Sequence, residues 1–489
     1  MGHLAGCTQQ ASANDVQRNF QGRIMYTSST RRFTMLILMV LTMVTLMRTV
    51  PVHANKMLAM PAPKFQIIRM VSPVNGWAVT TVPNPKGTQE TNNGKFFPGT
   101  IGSVLHTQDA GRTWVDVTPK MPDNLRSNAV LGCDCTDNGL AGFFFLDDTH
   151  AWIATSDALI TGNQDFSGIN VLRTSDGGHS WQRTKAGINA PFIVTFSFID
   201  AQHGWLLAGD ISSMLTPDQS ALLYQTNDGG ATWQLIADDG VYEHDHADHR
   251  GSVAPMNAAE TGVTPYKHDQ MIFESARSGW MTAWRETGSA ADGGVLLHTI
   301  DAGKNWHRVN LLSTQPMTEV MYLCTLSGLN VFAPGSITLL SSCYDENTQL
   351  WQVLMHQTND DGETWQHYPI LANLLCANGL LQVLMISPTR GWSTGCDVST
   401  DATPYGGNPL NAFAFYRTVD AGKSWAKMAL VPDALRPRPG EYGQLIAGKF
   451  DFINDHIGWA IDPTGNLFAT TDGSVTWTAL PLKIASRAH

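Results

Sequence analysis

Charge is scarce in this sequence. Asp, Glu, Lys and Arg make up 15% of its 489 residues, and the basic kind is the scarcer, with 31 against 42 acids. A chain with 43% hydrophobic residues and so little charge can bury a large core, which excludes a disordered tail. Its acidic balance repels phosphate backbones and argues against nucleic acid as a partner. Long apolar runs are also missing: the stretch Phe33 to Met47 is about fifteen residues, short of the ~20 that cross a bilayer comfortably. There is no Gly-rich phosphate loop, no nucleophile elbow and no Cys-His nucleophile context, so no organic cofactor is expected.

Cysteines number seven, and Cys7 lies in a leader. The remaining six, Cys133, Cys135, Cys324, Cys343, Cys376 and Cys396, suit an oxidising compartment. The spacing from Cys324 to Cys343 nearly equals that from Cys376 to Cys396. Each pair falls on neighbouring strands of one repeat, so two disulfides are predicted, Cys324–Cys343 and Cys376–Cys396. Cys133-Asp134-Cys135 lacks the second pair that a zinc site needs and reads as a local disulfide or free thiols.

Residues 1–54 read as the leader. Arg31 and Arg32 precede the apolar run, and Val52-His53-Ala54 resembles a signal-peptide cleavage site. Export is the expectation, with a retained membrane anchor as the alternative and Met25 as a candidate initiator. Removing the leader leaves 26 basic and 41 acidic residues, a net charge of −15. Residues 55–64 form a linker, and 65–489 the folded domain.

One pattern organises that domain: Thr-x-Asp-x-Gly-x-(Thr/Ser/Asn)-Trp, seven times over. Its acids are Asp109, Asp176, Asp228, Asp301, Asp360, Asp420 and Asp472, and its indoles are Trp114, Trp181, Trp233, Trp306, Trp365, Trp425 and Trp477. The last copy has Ser474 where the glycine belongs. A mean period of about sixty residues matches one four-stranded blade with its loops. Gly-Trp or a near equivalent precedes each motif, at Trp77, Trp152, Trp205, Trp280, Trp392 and Trp459, and opens the second strand. The fifth repeat lacks that tryptophan. The predicted fold is therefore all-β, a seven-bladed propeller of four-stranded antiparallel blades behind an N-terminal signal or anchor segment. Each motif falls in the turn between third and fourth strands, where Asp accepts backbone N–H bonds and Gly supplies a positive φ. Seven near-identical acids read as structural.

These residues resemble the Asp-box, or BNR, repeat shared by sialidases, sortilin-type receptors, some xyloglucan hydrolases and the photosystem II assembly and stability factors. Gly-Trp or a near equivalent before six of the seven boxes most resembles the last group, over Phe65 to Leu482. That resemblance implies an extracytoplasmic propeller that assists assembly of membrane proteins through an arginine-lined patch, whereas this chain is poor in arginine. The sialidase Arg-Ile-Pro signature is absent, its nearest match being Ile68-Arg69-Met70.

Long inserts (Val82 to Thr100, Asp157 to Ile169, Gly209 to Ser220, Asp397 to Pro409, Pro119 to Gly139, Ala237 to Asp269, Val431 to Gly443) all belong to the face opposite the boxes, where recognition is expected. The longest contains His244, His246 and His249, a candidate site for a divalent metal. A solvated loop binding nothing is the preferred reading, because a closed site needs geometry that this stretch does not guarantee. The expected function is a non-catalytic scaffold binding protein or carbohydrate, with a glycoside hydrolase as the alternative. A closed ring completes its own core, so a monomer is expected, with the membrane reached only through the leader.

Overall fold

The computed structural model describes residues 62–90, 96–119, 142–156, 169–184, 188, 192–209, 221–238, 254–255, 267–284, 294–309, 311, 323–345, 350–370, 383–396, 413–430, 450–462 and 464–485. They form seven antiparallel sheets in chain order, the seven-bladed propeller expected. Among them no helix is long and apolar enough to cross a membrane. The leader lies outside the described residues.

Blade 3 shows why the sequence folds this way. Its strands are Phe192–Phe198, Gly204–Gly209, Ala221–Thr226 and Gln234–Asp238. Side chains alternate along a strand. Trp205 and Leu207 therefore enter the seam with blade 4, while Leu206 and Ala208 enter the seam with blade 2. Both faces are covered, so the strand reads as one apolar run. The same logic produces seven buried clusters, one in each seam between neighbouring blades.

Two indoles serve most seams. The second-strand tryptophan of one blade stacks on the last first-strand residue of the next, as Trp152 does on Phe198 at 3.6 Å, Trp205 on Phe273 at 3.7 Å and Trp392 on Phe452 at 4.0 Å. The motif indole of the next blade packs into the same cluster, as Trp233 and Trp306 do. All six second-strand tryptophans are at most 1% exposed. The motif indoles are less uniform: Trp114, Trp306 and Trp425 are buried, whereas Trp181, Trp233, Trp365 and Trp477 are half-buried. The glycine before the second-strand tryptophan is explained by space: a Cβ on Gly204 would meet the Phe198 ring at 2.3 Å. In the fifth blade Thr338, opposite Gln357, takes the tryptophan's register position; its buried hydroxyl has no partner, and Met355, Met385 and Tyr416 fill that seam.

Departures from the expected blades lie at the edges. Ala254–Pro255 adds a parallel fifth strand to blade 3, and Ile484–Ala485 adds one to blade 1 beside Trp114–Asp116. The second of these ties the end of the chain onto the first blade, and the Trp459 indole N–H donating to the Ala110 carbonyl at 3.0 Å closes the same seam. Val82 to Thr100 is not a loop insertion throughout. The second and third strands of blade 1 continue through it, pairing Val82 with Ile101 and Glu90 with Phe96. Pro83, Pro85 and Gly87 coincide with a break in register between Pro83 and Thr88, after which pairing resumes.

Each motif closes its turn by the same contacts. In blade 3, Thr232 donates its N–H to Asp228 Oδ1 at 2.9 Å and its hydroxyl to Oδ2 at 2.7 Å, Thr226 donates its hydroxyl to Oδ1, and Gly230 N–H donates to Thr226 Oγ1. Two successive residues adopt left-handed φ, Gly229 at 68° and Gly230 at 82°. Ser474 occupies the second of these positions at φ 72°, fully buried, with an unpartnered hydroxyl. The left-handed conformation costs about 1–2 kcal/mol for an L-residue, and an unpaired buried hydroxyl adds to that. Ser474→Gly is therefore expected to raise unfolding stability by about 1–2 kcal/mol, read as a higher denaturation midpoint.

Candidate functional site

First strands are innermost, and residues from all seven of them line one cavity of about 670 Å³ on the propeller axis. Apolar side chains, among them Phe144, Leu146, Ile272, Val331, Leu384 and Ile386, stand half-buried around it, but the surface it exposes is more polar than apolar. Some of its polar side chains are occupied by sealing one first strand to the next. Ser197 Oγ accepts the Phe273 N–H at 2.8 Å, and Gln270 Oε1 accepts the Leu329 N–H at 3.0 Å.

At the junction of blades 7 and 1 that role falls to a charge. Asp451 stands at the register position that Ser197 holds in blade 3, and its Oδ2 accepts the Met70 N–H at 2.7 Å. Arg69 lies 3.5 Å from the other oxygen. Burial pushes the Asp451 carboxyl up, opposed by the Arg69 guanidinium and the backbone donors. The two partners differ in access: the side chain of Asp451 is 6% exposed and that of Arg69 57%. Arg69 lines the cavity and is the one charged residue among the described residues that do so. The arrangement presents a guanidinium, held from behind, in a cavity of mixed polar and apolar lining. It can grip an anionic or hydrogen-bond-accepting group of a ligand.

No protein-family model matches this sequence, and no curated protein does. Among solved structures the chain is similar to YCF48 bound to D1 peptide, at 14% identity over 84% of this chain and 93% of that one, TM-score 0.44. It is similar to YCF48 from Cyanidioschyzon merolae at 14% identity, covering 85% and 97%, TM-score 0.44. A PL25 ulvan lyase bound to its sugar is also similar, at 10% identity over 87% and 95%, TM-score 0.42. Nothing about ligand or activity follows from likeness at this level.

The acids of the seven motifs lie in the turns after third strands, and their carboxylates are occupied by the hydrogen bonds described above. Those bonds hold the acids below their ordinary range. The hydroxyls of Thr358 and Thr364 take Asp360 to about 2, and Thr476 takes Asp472 to about 2. Asp109, Asp176, Asp228, Asp301 and Asp420 are lowered as well: burial acts to raise them and is outweighed by the same donors. Groups kept ionised and fully engaged are poor proton donors at neutral pH. Cys343 is disulfide-bonded, and Cys324 is its register partner on the neighbouring strand. Cys396 ends the second strand of blade 6, while Cys376 lies outside the described residues. His244, His246 and His249 also lie outside them, as do most of the long inserts.

The Arg69–Asp451 pair escaped the sequence reading. A signal was available: aligning the repeats by their Gly-Trp positions puts Arg69, Phe144, Ser197, Ile272, Leu384 and Asp451 in one column, and two of these six are charged.

Proposed function

We propose that this chain is an exported, non-catalytic Asp-box propeller that binds a protein or carbohydrate ligand. Recognition is assigned to the loops on the face opposite the motifs and, separately, to the axial cavity with Arg69, which is lined by the motif-side ends of the first strands. The observation that carries this reading is the cavity wall, in which no carboxylate appears among the described residues. Most glycosidases cleave with two carboxyl groups facing each other across the scissile bond. Asp451 is sealed beneath Arg69 and has no second acid among its hydrogen-bonding partners. The Cys324–Cys343 and Cys376–Cys396 disulfides belong to the same proposal, because they require the oxidising compartment that export supplies.

The test pairs capture with chemistry. A photoreactive residue replacing Leu384 should crosslink a defined cell-surface protein or glycan, and Arg69→Ala should reduce the yield at least severalfold. A chain lacking residues 239–253 measures the contribution of the longest insert. Release of sugar from aryl glycosides or polysaccharides, abolished by Asp451→Asn, would overturn the reading in favour of a hydrolase.

A further inference from the structure

We propose that Glu274, His298 and Asp361 form a binding site for one divalent transition-metal ion in the seam between blades 4 and 5. Glu274 follows the first strand of blade 4 (Lys267–Phe273), His298 belongs to its third strand (Gly294–Thr299), and Asp361 comes from the motif of blade 5. One ligand atom from each lies within 4.8 Å of the other two. His298 Nε2 is 3.4 Å from Asp361 Oδ1, and the Ser278 hydroxyl sits between His298 Nε2, at 3.1 Å, and the Glu274 carboxylate.

Comparison among the blades of this chain singles out the seam. Glu274 stands where the other blades carry Val71, Leu146, Ile199, Phe332, Ile386 and Ile453. Asp361 stands where the other motifs carry Ala110, Gly177, Gly229, Ala302, Ala421 and Gly473. Two acids have thus replaced small or apolar residues at unrelated positions of the repeat, and the fold brings both to one imidazole. His106 provides an internal contrast: it occupies the same position in blade 1 and packs against Trp77 with the rings tilted by 54°, yet its seam has Val71 and Gly177 in place of the two acids.

The ligands are held in place without a metal. His298 stacks on Trp280 at 3.9 Å with the rings 11° from parallel, and the Gly335 N–H donates to Glu274 Oε2 at 3.0 Å. A carboxylate has lone pairs to spare beyond these bonds. The side chain of His298 is 13% exposed and that of Asp361 48%, so the site is rooted in the seam and open on one side to an incoming ion. One nitrogen and two oxygen donors with room for solvent suit zinc and its neighbours in the first transition row.

Zinc chloride titrated calorimetrically into the full chain carrying His244→Ala, His246→Ala and His249→Ala is the test, because that background removes the loop histidines as competing ligands. One zinc per chain is expected, with X-ray absorption showing a single imidazole among oxygen donors. Glu274→Ile, which restores the kind of residue other blades use, and the milder Glu274→Gln should each weaken binding at least tenfold. His106→Gln should leave it unchanged. Lack of saturable uptake in that background, or unaltered affinity in both folded Glu274 variants, would overturn the proposal.

Discussion

Trp205→Ala is expected to lower unfolding stability by about 3–5 kcal/mol, the range for removing a large aromatic from a packed core. Trp205 is fully buried, lies 3.7 Å from Phe273 with the rings 4° from parallel, and donates its indole N–H to the Ala302 carbonyl at 2.9 Å. Alanine would lose the packing and the stack and leave a half-buried carbonyl of the next blade without its donor. The hole would fall between two sheets that share no strand pairing, so neighbouring strands cannot close it by sliding. Trp365, half-buried and donating only to Gly362 of its own turn, provides the comparison. Trp365→Ala should cost less than half as much. Chemical denaturation of both variants against the parent reads the difference; equal losses would show that the second-strand indoles are not the principal seal.

Acid should destabilise the protein well above the range where carboxylates titrate, and His356 should account for the largest share. This imidazole is fully buried, bonded through Nε2 to Ser341 Oγ and through Nδ1 to His367 Nδ1, both at 2.7 Å. Burial first, and then the neighbouring His367, takes it from 6.5 to about 3. In the unfolded chain the same group binds its proton near 6.5, so between these values the unfolded state holds one proton more. Stability is then complete above pH 6.5 and falls by about 1.4 kcal/mol per pH unit on acidification toward 3. His106, His298 and His367 are lowered too and act in the same direction. Below about pH 4 the motif acids join them, since carboxyls depressed in the native state lose their contribution as they protonate. Asp361 and Asp451, both raised, oppose the trend. His356→Gln keeps polar atoms without a titrating ring. Its denaturation free energy between pH 7 and 5 should have a slope shallower by about 1.4 kcal/mol per unit, and an unchanged slope would remove His356 from the account.

Blade number, strand order and the place of each motif follow from the amino-acid sequence by itself, because the contacts that build the motif are local. Thr226, Asp228, Gly230 and Thr232 satisfy one another within six residues, and Gly204 makes room for Phe198 across a short turn. Such turns carry the same signature wherever they recur, and alternation along the strands does the rest. Tertiary structure alone decided the remainder: which indoles are sealed, the parallel strand that clasps blade 1, and the pairing of Met70 with Asp451 across 381 positions. It also brought Glu274, His298 and Asp361 to one seam. These depend on which faces meet when seven sheets close around an axis, and no local rule of spacing encodes the partner of a side chain that points away from its own sheet.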